Sequence, residues 1–403
     1  MPLGEINDPG SHLERVVALA QRHLGLDAVC IAERRPDGVH YCRAAAGDPD
    51  SFEVVIGAPL PSALVGLADA VVSGSAPTVV GDTCPEAPER TQVAAPLLRS
   101  DGSAYGAIVG LASGPRPDLD ARDFRLLSMS ADLLLRYLDD QRDLDALRAG
   151  IGELIEGRQL DIATQPIFDL RGGHCIGVEA LARFPQGWGS PDATFRAADA
   201  AGMGVELERL AVQQAWPILE KLRPNQFLTV NLSPVAAATL AERATAYAEL
   251  PLRQLVVEIT EHAAVDSYAN LRAQLRPLRE LGLRVAVDDA GAGYASLRHV
   301  VELRPDFIKI DRDLVHGLAE DHARRVAVSA FVLLSLDLNA NVIAEGLERP
   351  ADLAALYDLG VDAAQGYLLG RPSTRPAEFA GWLRRDGQRD GERDGEKAPT
   401  LGE

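Results

Sequence analysis

At 403 residues the chain is too long for one ordinary domain and comfortable for two. Its 47% hydrophobic and 25% charged residues suit a globular protein, and no apolar run approaches the roughly 20 residues that span a bilayer. A net charge of −19 argues against a broad nucleic-acid or anionic-membrane surface, so a phosphate-bearing ligand must be drawn in locally, by metal ions or isolated basic residues. The opening MPLGEINDPGSH has no basic region followed by an apolar core and reads as no secretory leader; the expected location is cytoplasmic. Four scattered cysteines (Cys30, Cys42, Cys84, Cys175) make no zinc pattern and are expected to stay reduced and incidental.

In chain order, HLERVVALAQRHLG is an amphipathic helix and leads to strands near DAVCIAER and VHYCRAA. A helical stretch, SALVGLADAVVSG, precedes a short strand, PTVVG, and then a hairpin, QVAAPLLRS-DG-SAYGAIVGLAS. Asp101-Gly102 marks its turn, because glycine accepts positive φ without strain. Helices and antiparallel strands in this order resemble the GAF family, which shares its architecture with PAS domains. That resemblance implies a small α+β sensor. Cyclic-nucleotide, haem and ligand-free forms all fit the pattern, whereas a bilin does not, for want of a Cys-His pair.

From Leu119 to Ile155 the period is helical, with Leu127, Ala131, Leu134 and Leu138 at 4-3-4 spacing and Leu144, Leu147, Ile151 and Leu154 at 3-4-3. The seam slips at Asp139 to Asp143. A dimerising coiled coil has this form, as does a helix packed on its own domain. The expectation is a homodimer through this segment.

Eight apolar runs follow: IATQPIFDL, GVEALARF, QFLTVNLS, LVVEIT, RVAVDD, FIKI, NVIAEG and AAQGYLL. Most are separated by stretches of helical period, such as LERLAVQQAWPILEKL. Strands alternating with helices predict a parallel sheet, and eight units predict a TIM-like (β/α)8 barrel whose active site lies at the strand C-termini. At or near those ends stand Gln165, Glu179, Arg183, Asn231, Glu258, Glu261, Asp288, Asp289, Lys309, Asp311, Glu345, Glu348 and Gln365. Carboxylates converging on one mouth would be costly without a cation, which points to a metal site with hard oxygen ligands. From Asp386 onward the chain repeats a charged DGxx tetrad and is expected to be a solvated tail.

The motifs Glu179-Ala-Leu-Ala-Arg183, Asn231-Leu-Ser, Glu258-Ile-Thr-Glu261, Asp288-Asp289, Lys309-Ile-Asp311, Glu345-Gly-Leu-Glu348 and Gln365-Gly-Tyr resemble, in order and spacing, the EAL family of cyclic di-GMP phosphodiesterases. The resemblance implies metal-dependent hydrolysis of cyclic di-GMP to linear pGpG at a two-metal Mg²⁺ or Mn²⁺ site, with Ca²⁺ inhibitory. It implies Glu179, Asn231, Glu258 and Asp288 as ligands of one metal and Asp289 as contributing to the second. Glu345 would be the general base and Lys309 would orient the water. Gln165, Leu181, Arg183 and Gln365 would contact substrate. Glu261, Asp311 and Glu348 would support loops from behind the site. In the loop after the Asp pair, Ala290 and Ala292 replace a phenylalanine and a threonine of the family pattern. Ser233-Pro234 reads as a helix N-cap, and His262 and His299 as surface or supporting residues.

The expected division is a GAF-like sensor at 12–118, a connecting helix at 119–158, an EAL barrel at 159–385 and a tail at 386–403. The rival readings are a receptor that holds cyclic di-GMP without turnover and a protein-binding regulator. A nucleic-acid polymer or membrane partner is not expected.

Overall fold

A computed structural model describes residues 9–74, 79–81, 90–99, 101–116, 119, 121–242, 251–259, 267–291 and 294–384. The chain divides into two compact units, Met1–Ala146 and Leu147–Glu403. Among the described residues no helix is long and apolar enough to cross a membrane.

The first unit holds α1 (Pro9–Leu24), β1 (Ala28–Arg34), β2 (His40–Gly47), α2 (Ser62–Val72), β3 (Val79–Gly81), β4 (Thr91–Leu98) and β5 (Ala104–Ala112). The strands form one antiparallel sheet in the order β2-β1-β5-β4-β3. Alternation sends Val29, Ile31 and Leu97 to one face with Leu13 and Val17 of α1, and Cys30, Ala32 and Val109 to the other with Leu64 and Val71 of α2. Gly102 takes φ +81° at the turn between β4 and β5, where Asp101 Oδ1 accepts from the Ser103 amide at 2.8 Å. Cys30, Cys42 and Cys175 are buried thiols; Cys84 lies outside the described residues.

Helix α3 (Ala121–Glu156) runs for 36 residues. Leu134 and Leu135 are buried in the first unit's core, and Ile151 and Leu154 in the second's, so these seam positions serve packing within each unit. The side chains of Leu127 and Ala131 lie outside the described residues.

The second unit comprises β6 (Asp161–Asp169), β7 (Cys175–Arg183), α4 (Pro191–Ala200), α5 (Gly204–Leu219), β8 (Phe227–Leu232), α6 (Pro234–Glu242), β9 (Leu255–Ile259), α7 (Tyr268–Glu280), β10 (Arg284–Ala290), α8 (Tyr294–Leu303), β11 (Phe307–Ile310), α9 (Arg312–Val315), α10 (His322–Leu338), β12 (Asn341–Ala344), α11 (Pro350–Asp358), β13 (Ala363–Ala364) and α12 (Pro376–Arg384). Its eight strands close into a barrel. One expectation is corrected: the barrel is not wholly parallel. β6 runs antiparallel to both β7 and β13, because the few residues between β6 and β7 make a hairpin and cannot house a crossover helix.

Strand alternation sorts this unit's core. Leu228, Val257, Val285 and Ile308 face the surrounding helices, while Ile167, Phe227, Val256, Ala286, Phe307, Ile343 and Ala363 pack inside the barrel. Arg284 lies over the Phe227 and Phe307 rings, at 4.8 and 5.2 Å from their centroids.

Candidate active site

One step of two residues along each strand leads from this apolar layer to a polar one, since residues i and i+2 share a strand face. Val256 leads to Glu258, Ala286 to Asp288, Phe307 to Lys309, Ile343 to Glu345 and Ala363 to Gln365. On the reversed strand β6 the step runs backwards, from Ile167 to Gln165, which pairs in register with Glu179 of β7. Asn231 of β8 pairs in register with Glu258 of β9.

The Asp pair needs a further device, because adjacent strand residues face opposite ways. The β10–β11 register shifts between Val287 and Ala290, and Asp289 takes φ +51°. Aspartate tolerates this left-handed conformation better than most residues, and such a bulge re-aims a side chain. Both carboxylates therefore reach the same cavity. Oxygens of Asp288, Asp289 and Glu345 lie within 4.8 Å of one another.

Lys309 stands at the centre, 1% exposed. Its Nζ lies 2.5 Å from Glu345 Oε1, 2.7 Å from Glu258 Oε2, 3.0 Å from Asp288 Oδ1 and 3.6 Å from Glu179 Oε1. Burial alone would lower the lysine pKa, but the surrounding carboxylates outweigh it and hold the pKa well above its ordinary value. Burial pushes the Glu258 and Glu345 carboxyls well up, against the pull of Lys309 and with the push of neighbouring carboxylates. At Glu179 burial also pushes up, yet Lys309 and hydrogen bonds from Gln365 and Asn231 leave the net shift downward. One ammonium cannot balance five crowded carboxylates.

The polar contacts show where further positive charge fits. Asn231 Nδ2 donates to Glu179 Oε1 at 2.9 Å, and Gln365 Nε2 donates to Glu179 and to Gln165 Oε1. Asn231 Oδ1 and Glu258 Oε1 are buried without a donor. Two orphaned oxygens on facing residues, in an all-oxygen donor set, suit a hard divalent cation.

Gln165, Glu179, Asp288, Asp289, Lys309 and Glu345 line one cavity of about 250 Å³, together with Asp311, Glu348 and Gln365. Asn231 and Glu258 sit beside it, bonded to Glu179 and Lys309 respectively. Leu181 and Arg183 are half-buried outside this lining, and Arg183 donates to the Ala182 carbonyl at 2.8 Å. Asp311 also caps α9, accepting from the Asp313 amide at 2.7 Å. Ser233 caps α6 as expected, accepting from the Ala236 amide at 3.2 Å. Ala290 is fully buried, and His299 is buried against Tyr268 rather than at the surface. Glu261, His262, Ala292 and the tail from 386 lie outside the described residues.

Glu208 and Arg312 escaped the sequence reading, and Tyr367 entered it only within the Gln365-Gly-Tyr motif. Glu208 of α5 accepts from both the amide and the hydroxyl of Ser233, bracing the turn after Asn231. Arg312 and Tyr367 line the cavity. Arg312 had a signal, since it directly follows a strand-end aspartate, whereas Glu208 lies far off in sequence and had none.

The EAL-domain model matches residues 146–372. The chain belongs to the EAL-domain family. An uncharacterized protein of Synechocystis sp. is 29% identical over 68% of this chain and 40% of its own length. The bifunctional diguanylate cyclase/cyclic di-GMP phosphodiesterase MucR of Pseudomonas aeruginosa is 35% identical over 56% of this chain and 34% of its own. The chain thus spans less than half the length of these relatives. Among solved structures, the PaMucR phosphodiesterase in a c-di-GMP complex is 31% identical with a TM-score of 0.51, covering 58% of this chain and 99% of that one.

Proposed function

We propose that this EAL-domain protein hydrolyses cyclic di-GMP to linear pGpG with Mg²⁺ or Mn²⁺, under the control of its N-terminal unit. The observation that carries the reading is the barrel-mouth layer in which four carboxylates surround Lys309, Asp289 clusters with Asp288 and Glu345, and the buried Asn231 Oδ1 and Glu258 Oε1 lack donors. The solved MucR phosphodiesterase complex lends it support.

Glu179, Asn231, Glu258 and Asp288 would hold one cation, with Asp289 contributing to a second. When bound, these ions supply Lewis-acid stabilisation of phosphoryl charge and activation of water. Glu345 opens into the cavity beside Asp288 and takes the proton of the attacking water as general base. Lys309 holds Glu345 in place and donates toward the water. One water is consumed and one phosphodiester P–O bond opens, leaving a terminal phosphate and a ribose hydroxyl. Gln165 and Gln365, tied to each other and to Glu179, present polar contacts to the substrate. Leu181 and Arg183 are candidates for contacting the part of the ligand that projects beyond the cavity.

The N-terminal unit, read as a GAF-like sensor, carries its antiparallel sheet between helices, and α3 extends from that unit's core to the barrel unit's. Dimerisation along α3 would transmit the signal, through the exposed positions Met129 and Leu133.

The test is chromatographic detection of pGpG from cyclic di-GMP, using the full chain with Mg²⁺, Mn²⁺ or EDTA. Product that appears with metal and vanishes with EDTA supports the enzyme. Nucleotide binding with no product under any metal, from the full chain and from residues 159–385 alike, replaces it with the receptor.

A further inference from the structure

Two cations line the cavity among the described residues, Lys309 and Arg312. Lys309 is almost wholly buried and enclosed by four carboxylates. Arg312 is differently placed: 60% of its side chain is exposed, at the first turn of α9, the helix that Asp311 caps. Its terminal nitrogen meets Glu348 Oε1 at 3.2 Å. Its stem crosses the backbone of Gly346, which takes φ +62°; a Cβ there would stand 2.3 Å from Arg312 Cγ and 2.6 Å from its Cβ. The absence of a side chain at 346 is therefore what lets the arginine lie along the segment between Glu345 and Glu348. The contact with Glu348 engages one terminal nitrogen of a planar group with five N–H donors, a fork suited to phosphate oxygens.

We propose that Arg312 contacts the phosphodiester that is not cleaved, an inference that rests on the phosphodiesterase reading. The cleaved phosphodiester belongs beside Asp288, Asp289 and Glu345. A cyclic dinucleotide brings a second negative charge to the same carboxylate-rich mouth, on a protein of net charge −19. Arg312 is the cation on the wall that meets it, preset by Gly346 and Glu348. A simple rim ion pair, by contrast, would contribute little and leave affinity unchanged on removal.

The experiment uses the full chain and its Arg312→Ala and Arg312→Lys variants, with thermal midpoints to check folding. Steady-state hydrolysis of cyclic di-GMP is followed in Mg²⁺, and binding of cyclic di-GMP by calorimetry in Ca²⁺, at low and high salt. The alanine variant should raise KM and Kd roughly tenfold or more, the loss expected for a charge-assisted hydrogen bond, with kcat within about threefold. The lysine variant should recover part of it, and the gap should narrow at high salt. Unchanged KM and Kd would overturn the inference and leave a rim ion pair. A fall in kcat at constant KM would overturn it in favour of positioning the Glu345 segment. A wild-type chain that neither binds nor hydrolyses the nucleotide would remove the phosphodiesterase reading and this inference with it, whereas binding that survives Arg312→Ala removes the inference alone.

Discussion

Two layers inside the same barrel, a single strand step apart, make opposite use of burial. The lower layer of Ile167, Phe227, Val256, Ala286, Phe307, Ile343 and Ala363 is apolar and gains from leaving water. The upper layer of Gln165, Glu179, Glu258, Lys309 and Gln365 is buried almost as deeply, yet holds charge that burial penalises. The lower layer closes the barrel, and the upper layer spends some of the stability so gained on a cluster in which carboxylates outnumber the one ammonium. A buried cluster of one ammonium and several carboxylates would be a poor choice for stability alone.

Breaking the upper layer should cost chemistry first. Glu179→Ala removes a proposed metal ligand and the partner of both Asn231 and Gln365, and should lower metal-dependent turnover by on the order of 10³-fold or more while far-UV circular dichroism stays unchanged. Undiminished hydrolysis would sink the metal assignment. Lys309→Met leaves the surrounding carboxylates without their ammonium and should lose about 3–5 kcal/mol in urea unfolding. Stability equal to wild type would mean that Lys309 does not compensate the cluster.

Breaking the lower layer should do the reverse. Phe307→Ala empties a place against Phe227, whose ring centroid is 5.0 Å away, and should cost about 3–5 kcal/mol. Turnover per folded molecule should stay within a few fold, and a larger fall would show that the two layers are not separable. The smallest effect concerns Glu208, whose carboxyl burial pushes up to about 7 against hydrogen bonds from Ser233. Because the folded state holds this proton more tightly than the unfolded chain, stability falls as pH rises from the ordinary carboxylate range through about 7. Glu208→Gln should flatten that part of the stability profile between pH 5 and 8. An unchanged slope would place the proton elsewhere.

Much of this was legible in the sequence because strand alternation is local. Runs such as RVAVDD and FIKI carry in their own order which residues face the helices and which face the barrel interior, and a polar residue two places beyond an interior apolar one marks the upper layer. The cap at Ser233 and the hairpin at Asp101-Gly102 were legible for the same reason, since each depends on a few neighbouring residues.

What escaped was direction, aim and partnership. Alternation reads the same forwards and backwards, so it could not tell that β6 runs against its neighbours. That both carboxylates of Asp288-Asp289 reach one cavity depends on the register shift against β11. The reach of the two arginines also depends on the fold: Arg183 donates to the neighbouring Ala182 carbonyl, while Arg312 is laid across Gly346.

The sequence by itself thus determined the layer each residue occupies, through a period that every strand carries within itself. The tertiary structure decided which of those residues meet: the four carboxylates around Lys309, the glutamine bridge between β6 and the turn after β13, and the arginine over Gly346. Those meetings join residues up to 200 positions apart, and barrel closure alone brings them together.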